Sequence, residues 1–143
     1  RFADYGLPVI ADVVDGYAGP LAGILTGLEW MAAHHPNHAH MISLATDAPF
    51  LPPDLAPRLY ARLGSDADIV QAQSYGQRHP VFAIWPVALV ADLRQAVCNE
   101  GVRKIDHFTR RHHCGVVAFS GTPDPFLNIN RPEDFVEAER WFK

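Results

Sequence analysis

The chain has 143 residues, a length typical of one domain that can bury a hydrophobic core. Hydrophobic residues make up 48% of it and charged residues 20%, and its net charge is −4. These values exclude wholesale disorder and a collagen-like chain. The acidic balance argues against non-specific nucleic-acid binding, and no apolar run reaches the roughly 18 residues of a membrane span. We therefore expect neither nucleic-acid nor membrane partners, and we recognise no secretory leader.

The first half of the chain alternates between patterns typical of strands and of helices. Residues 7–14 are apolar and rich in β-branched side chains, which predicts a strand. Pro20 stands where a helix can begin, and apolar residues then recur at spacings of three and four, which predicts a helix ending near His34. Residues 39–46 are almost continuously apolar, as in a strand buried on both faces of a parallel sheet. A second helix is expected from about Pro53.

The second half of the chain continues this alternation. Strands are predicted over residues 68–74, 81–85 and 116–119, and helices over residues 86–97, 104–111 and 135–142. A turn is expected at Gly76. The alternation predicts an α/β domain with a mostly parallel sheet and helices on both faces. Ligands bind beyond the carboxyl ends of the strands in such a sheet, so the residues after each strand are the first candidates for a site.

Small residues mark the start of the first predicted helix, in the sequence Gly19-Pro20-Leu21-Ala22-Gly23. Glycine lets a ligand approach the backbone closely, and the free N–H groups of a helix start favour anions or the acceptor edge of a base. The segment is neither a Walker loop nor a G-x-G-x-x-G motif. Tight packing of the helix start is the alternative explanation for the two glycines.

Asp47 follows the most apolar of the predicted strands. An unpaired carboxylate in an apolar setting costs free energy, and a divalent cation is a natural partner for it. Mg²⁺ is bound by one or two carboxylates together with substrate phosphate oxygens. Asp47 could instead cap a helix or turn beside the prolines that follow it. Its position alone leaves both interpretations open.

Asn128 and Asn130 are two positions apart, so an extended backbone sends both amides to the same side. Amides can form hydrogen bonds with phosphate, ribose or metal-bound water. Asn130 could also cap the final helix, with Glu133 three residues later as in a capping box. That alternative does not account for Asn128.

Basic residues, histidines and cysteines give weaker signals. Arg78 falls in a tight connection predicted between two strands, where it could bind an anion or only serve the turn. Arg103 could bind phosphate or be an ordinary solvated charge. Four histidines between residues 34 and 40 straddle a helix end and a strand start, and a solvated loop explains them better than a zinc site. Cys98 and Cys114 have no C-x-x-C spacing; we interpret them as reduced thiols, which favours the cytoplasm.

Three segments together resemble the molybdenum cofactor guanylyltransferases. They are Gly19-Pro20-Leu21-Ala22-Gly23, Thr46-Asp47-Ala48-Pro49-Phe50 and Asn128-Ile129-Asn130-Arg131-Pro132-Glu133-Asp134. The lead-in over residues 7–12 is also similar, with Asp12 seven residues before Gly19. The resemblance extends from about residue 7 to the C-terminus. It implies a single Rossmann-like, three-layer nucleotidyltransferase domain over residues 1–143, of the type found in nucleotide-diphospho-sugar transferases.

The same resemblance implies an activity: transfer of GMP from GTP to the phosphate of molybdopterin, with release of pyrophosphate. By resemblance, Asp47 binds Mg²⁺, and Asn128 and Asn130 are catalytic residues close to the reacting groups. Proteins that deliver or receive the molybdenum cofactor would then be partners.

Nucleotide and pterin contacts are implied in the same way. By resemblance, Asp12, Gly19 and Gly23 lie in the guanine-nucleotide site. The regions of Arg78 and Arg103 would face the pterin.

The chain departs from the family pattern at its beginning. The family opens with a strand and a glycine-rich phosphate loop bearing arginine and lysine, and nothing in this sequence matches that loop. We therefore expect an N-terminally truncated domain, and we do not expect the 143 residues alone to catalyse the reaction. Two alternatives are a cytidylyl- or other nucleotidyltransferase of the same superfamily, and a non-catalytic module that binds a nucleotide or the cofactor.

Overall fold

The structure, a computed structural model, describes residues 3–16, 19–64 and 66–142. The strands in these ranges are β1 (His40–Ser43), β2 (Ile69–Ser74), β3 (Gln77–Pro86) and β4 (Cys114–Phe119). The α-helices are α1 (Pro20–His34), α2 (Leu55–Arg62), α3 (Val90–Arg94), α4 (Ile105–Thr109) and α5 (Pro132–Glu139). Short 3-10 turns cover Ala3–Tyr5 and Val87–Leu89, and a π-helical turn, Gln95–Asn99, continues α3. Within the described ranges, no helix combines the length and the apolar character needed to cross a bilayer.

The chain divides into two compact units. The first comprises the chain up to Met41 together with Pro86–Phe108, and the second comprises Ile42–Trp85 and the chain from Thr109 onward. The division falls within β1 and at the last residue of β3. An α/β fold is confirmed, with the sheet mostly in the second unit.

The first unit is built on α1. Its leucines recur at spacings of three and four, and Leu21, Leu25 and Leu28 are fully buried, as the apolar stripe predicted. Pro20 occupies the first helical position, where its missing N–H costs nothing. The helix packs against α3, and Leu93 of α3 is fully buried as well.

The predicted strand over residues 7–14 is not formed. Residues 7–12 have no regular secondary structure, and Leu7 and Val9 are 71% and 68% exposed. A strand requires a hydrogen-bonded neighbour, and no strand of the described chain pairs with this segment. Its β-branched composition is therefore insufficient to make it a strand. The segment is held within the first unit by a hydrogen bond of 3.0 Å, which the Val13 N–H donates to the Thr26 hydroxyl of α1.

The sheet of the second unit has the strand order β1-β3-β2-β4. β2 runs parallel to β4 but antiparallel to β3, so the prediction of a mostly parallel sheet is wrong for the β2–β3 pair. The reason is the two-residue turn between them, in which Tyr75 and Gly76 both have positive φ, 47° and 75°. Such a turn reverses the chain into a hairpin. The strand predicted over residues 39–46 was expected to be buried on both faces. β1 is instead half-buried and lies at the edge of the sheet.

α2 packs against β2 and β4 and closes the core of the second unit. The core residues are apolar side chains from α2, the strands, the connection between α2 and β2, and the loops that follow β1 and β4: Ala48, Leu55, Leu59, Ala67, Val70, Ala72, Phe82, Ile84, Phe119 and Phe126. This cluster fixes the loops in which Asp47 and Asn128 lie.

An irregularity in β3 changes the environment of a predicted site. Gln71 pairs with Ala83, but the next residue, Ala72, pairs with His79, so residues 80–82 bulge out of the ladder. Pro80 lacks an N–H and is accommodated in the bulge. Arg78, predicted in a tight connection between two strands, therefore lies within β3 itself.

Candidate functional site

Asp47 lies in a turn that follows β1, and its backbone holds it beside the segment with the two predicted asparagines. The Asp47 carbonyl oxygen accepts a hydrogen bond of 2.7 Å from the Ile129 N–H. The Asp47 carboxylate is half-buried and has no hydrogen bond or ion pair with any residue of the described ranges. The turn-capping explanation for Asp47 thus finds no hydrogen bond to support it, and the carboxylate is available to a ligand.

The asparagines flanking Ile129 are both exposed, and neither amide has a hydrogen bond within the described chain. The capping explanation for Asn130 is not what the structure shows. α5 begins at Pro132 with Arg131 as its N-cap residue. The Asp134 carboxylate accepts from the backbone N–H groups of Asn130 (3.0 Å) and Arg131 (2.9 Å). The side chain of Asn130 is consequently not used by the helix.

A cavity of about 170 Å³ is lined by Arg78, His79, Asn128 and the bulged residues 80–82. Pockets for complete small molecules are typically about 300–1,000 Å³, so this cavity fits one end of a ligand. Arg78 is exposed and its guanidinium has no partner within the described residues. The structure thus brings Arg78 and Asn128 together in one cavity, which their positions in the sequence did not predict.

Behind the cavity, three polar side chains form a hydrogen-bonded chain. The Ser74 hydroxyl donates to Asp124 Oδ1 at 2.7 Å and lies 2.7 Å from His79 Nε2. Asp124 Oδ1 also accepts from the Phe126 N–H at 3.0 Å, and the His79 ring packs on the Phe126 ring with centroids 4.8 Å apart. Burial lowers the pKa of His79 below its ordinary 6.5, and the opposing charge of Asp124 does not fully offset this effect. We refer to Ser74, His79 and Asp124 as the polar chain.

In the first unit, Asp12, Gly19 and Gly23 cluster at the start of α1. A Cβ added to Gly23 would lie 4.0 Å from Asp12 Oδ1 and closer to nothing else, so tight packing does not explain this glycine. Gly19, the N-cap residue, has φ 75°, a conformation that side chains disfavour. Thr26 holds Asp12 in place because its hydroxyl accepts from the adjacent Val13 N–H while donating to the Ala22 carbonyl at 2.8 Å.

Arg103 belongs to the same unit, but its side chain is partly engaged. Nη1 donates to the carbonyls of Val97 (2.8 Å) and Val102 (3.1 Å). Its own carbonyl lies 3.7 Å from the Cβ position of Gly19. The backbone of Arg103 therefore lies beside the helix start, while one nitrogen of its guanidinium is bonded to the Val97 and Val102 carbonyls.

Sequence reasoning missed Ser74, Asp124 and Thr26. Ser74 is the last residue of β2, and Asp124 follows β4, so the rule that weights residues at the carboxyl ends of strands would have selected both. Thr26 interrupts an apolar helix face with a polar, buried side chain, which is the signal that could have found it.

The comparisons with known proteins agree with this architecture. The sequence profile of the MobA-like NTP transferase domain matches residues 1–114. The chain belongs to this family. Membership places it among the nucleotidyltransferases, as the resemblance had implied.

Within the MobA-like family, the chain is similar to proteins named molybdenum cofactor guanylyltransferase. It is 54% identical to one from Rhodopseudomonas palustris (strain BisB5), covering 98% of this chain and 68% of the relative. It is 51% identical to one from Bradyrhizobium sp. (strain ORS 278), covering 98% and 67%. The chain thus spans about two thirds of the length of these curated relatives.

Solved structures support the MobA-like fold. The molybdopterin-guanine dinucleotide biosynthesis protein A of Archaeoglobus fulgidus matches with a TM-score of 0.74 and 24% identity, over 96% of this chain and 69% of that one. A protein from Aquifex aeolicus matches with a TM-score of 0.73 and 15% identity, over 91% and 65%. At these identities the matches establish the fold alone.

Proposed function

We propose that the complete protein containing this chain transfers GMP from GTP to the terminal phosphate of molybdopterin and releases pyrophosphate. The observation that supports this most directly is the half-buried Asp47 carboxylate, which has no partner in the described chain and is held beside Asn128 and Asn130. The name of the relatives, molybdenum cofactor guanylyltransferase, supports a guanine nucleotide as the donor and the molybdenum cofactor as the acceptor.

The acceptor needs no general base. The second pKa of a phosphate monoester is about 6, so the terminal phosphate of molybdopterin is largely a dianion at neutral pH. One of its oxygens attacks the α-phosphorus of GTP, and the bond to the β-phosphate oxygen breaks, leaving pyrophosphate. The difficulty is to bring two anions together, which the protein meets by orientation and by fixed donors. This explains why a nucleophile–base pair is not required.

The residues present fit a magnesium ion. Among the described residues no group of three or more His, Cys, Asp or Glu side chains could form a closed metal site. A single carboxylate completed by water and substrate phosphate oxygens is the arrangement that Mg²⁺ adopts, and Asp47 supplies that carboxylate. When bound, Mg²⁺ supplies charge neutralisation at the phosphates.

The remaining candidates divide by unit. In the first, Asp12 and the backbone at Gly19 and Gly23 bind the guanine nucleotide, since free N–H groups at a helix start donate hydrogen bonds to anions or to the acceptor atoms of a base. In the second, the amides of Asn128 and Asn130 donate to phosphate oxygens.

In the second unit, the Arg78 guanidinium is a candidate contact for molybdopterin. In the first unit, the N–H groups of Arg103 that bond no carbonyl are a separate candidate. We further propose a cytoplasmic location, because Cys98 and Cys114 are free thiols and reduced thiols are typical of that compartment. We also propose partner proteins that deliver or accept the cofactor.

The test is a transfer assay on the complete protein with molybdopterin and either GTP or CTP, with Mg²⁺ or with EDTA. We expect a dinucleotide product and pyrophosphate with GTP and Mg²⁺ only, detected by mass spectrometry and a phosphate assay. Product with CTP alone would overturn the guanine assignment. Binding of nucleotide with no product under any condition would instead support the non-catalytic module.

A further inference from the structure

The polar chain of Ser74, His79 and Asp124 is satisfied internally on one side and faces a cavity on the other. Ser74 is 1% exposed, so its hydroxyl is not free to exchange its partners for water. His79 is half-buried and lines the cavity together with Arg78 and Asn128. A buried hydrogen-bond chain that ends on a cavity-lining imidazole fixes the orientation of that ring.

The hydrogen bonds also determine which nitrogen of His79 is protonated. A serine hydroxyl has one proton, and Ser74 donates it to the Asp124 carboxylate, which can only accept. The contact between Ser74 Oγ and His79 Nε2 must then use a proton on Nε2. In the neutral ring Nδ1 is consequently a hydrogen-bond acceptor, and it has no partner among the described residues.

We infer that Ser74 and Asp124 are positioning residues that hold His79 as its Nε2–H tautomer, so that Nδ1 accepts a hydrogen bond from an N–H group of a ligand in the cavity. The inference rests on the proposed function for the identity of that ligand. A phosphate is the wrong ligand for Nδ1, because a phosphate dianion has no proton to donate. A heterocycle with N–H donors beside carbonyl or ring-nitrogen acceptors fits, because Arg78, which lines the cavity with His79, supplies donors next to the Nδ1 acceptor.

N–H donors beside a carbonyl or ring-nitrogen acceptor occur on the edge of a 2-amino-4-oxopyrimidine. This ring is part of the pterin of molybdopterin and of the guanine of GTP. The lowered pKa of His79 agrees with an acceptor role, since burial keeps the ring neutral near pH 7. The cavity volume of about 170 Å³ matches one ring system and not a complete dinucleotide. Titration with pterin and with GTP separates the two sources of this edge.

The first measurement is ¹⁵N NMR of the histidine side chains in the complete protein, with His79 assigned through His79→Gln. We expect His79 to show a protonated Nε2 and an unprotonated Nδ1. Ser74→Ala should convert this into a mixture of tautomers, and Ser74→Thr, which keeps the hydroxyl, should restore it. Ser43→Ala is the matched control: Ser43 bonds the Val81 carbonyl and the Trp85 indole N–H, so its loss should leave the His79 signals unchanged.

The second measurement is titration of the labelled protein with pterin and, separately, with GTP. The ligand that donates to Nδ1 should shift its resonance, and Ser74→Ala should weaken that ligand about tenfold, the loss of roughly one hydrogen bond. In steady-state transfer the same variant should raise KM for one substrate about tenfold while kcat and the other KM stay within about twofold.

Two results would overturn the inference: His79 protonated on Nδ1 in the native protein, or identical His79 signals in Ser74→Ala and the native protein. Absence of a shift with both ligands would overturn the role of Nδ1 in binding. These results differ from failure of the proposed function, which would be an absence of transfer while the tautomer of His79 is as described.

Discussion

The two compact units present their candidate groups to a ligand in different ways. In the first unit the groups are mainly backbone at the start of α1. Gly19 has a positive φ, and the position of a Cβ at Gly23 has no close neighbour. In the second unit they are side chains without protein partners in the described chain, namely Asp47, Arg78 and Asn128. Adding atoms should therefore disturb the first unit, and removing functional groups should disturb the second.

The largest effect is expected for Asp47→Asn in the second unit. Residues that only orient a metal ligand typically contribute 10–100-fold, so loss of the ligand itself should lower Mg²⁺-dependent transfer by about 100-fold or more. Stability should change by less than about 0.5 kcal/mol, because the carboxylate has no described partner to lose. Transfer rates and urea unfolding measure the two effects. Near-native transfer by Asp47→Asn at saturating Mg²⁺ would show that Asp47 is not a ligand of the proposed metal site.

A smaller loss is expected for Asn128→Ala, about tenfold in kcat/KM, because the variant removes one donor and leaves the charge of the site unchanged. Asn128 is exposed, so the free energy of unfolding should not change. Asn99→Ala is the matched control, since Asn99 is an exposed asparagine that donates to Gln95 in the first unit. Equal losses in the two variants would contradict a specific role for Asn128.

The sequence predicted the elements better than their connections. The leucine spacing located α1, and the prediction of a helix near Pro53 located α2, because both patterns report the buried face of one local element. The strand over residues 7–14 was wrong because pairing is decided by a distant neighbour and not by β-branched composition. The antiparallel β2–β3 pair was missed because its turn places Tyr75 at positive φ, a conformation that a tyrosine in the sequence does not predict.

The candidate site shows the same limit. Asp47 and Asn128 were recognisable as polar residues in segments that follow predicted strands. Arg78 was selected for a predicted turn, although it lies in β3. The hydrogen bond from Ile129 to the Asp47 carbonyl, which joins two of these segments, depends on the tertiary fold. The polar chain combines residues that are 50 positions apart, Ser74 and Asp124, so one sequence could not join them.

Gly23→Ala tests the first unit by adding one methyl group. Glycine inside a helix is about 0.5–1 kcal/mol less favourable than alanine, and the added Cβ meets no close neighbour, so the variant should be more stable by about that amount. If a nucleotide approaches this backbone, KM for GTP should nevertheless rise severalfold. Gly19→Ala provides the contrast, because φ 75° at Gly19 makes that variant about 1 kcal/mol less stable. An unchanged KM in stabilised Gly23→Ala would exclude close approach of GTP.

The smallest effect is a pH dependence that belongs to the second unit alone. The pKa of His79 lies below 6.5 in the folded state because burial disfavours its charged form, and it returns to about 6.5 on unfolding. Between these two values the unfolded state binds more protons, so the contribution of His79 to stability is intact above about pH 6.5 and is lost as the pH falls through this window. In His79→Gln the glutamine side chain does not titrate in this pH range. The free energy of unfolding of the native protein should therefore decrease more steeply than that of His79→Gln between pH 7 and 5, and parallel curves would show that the imidazole is not shielded from water.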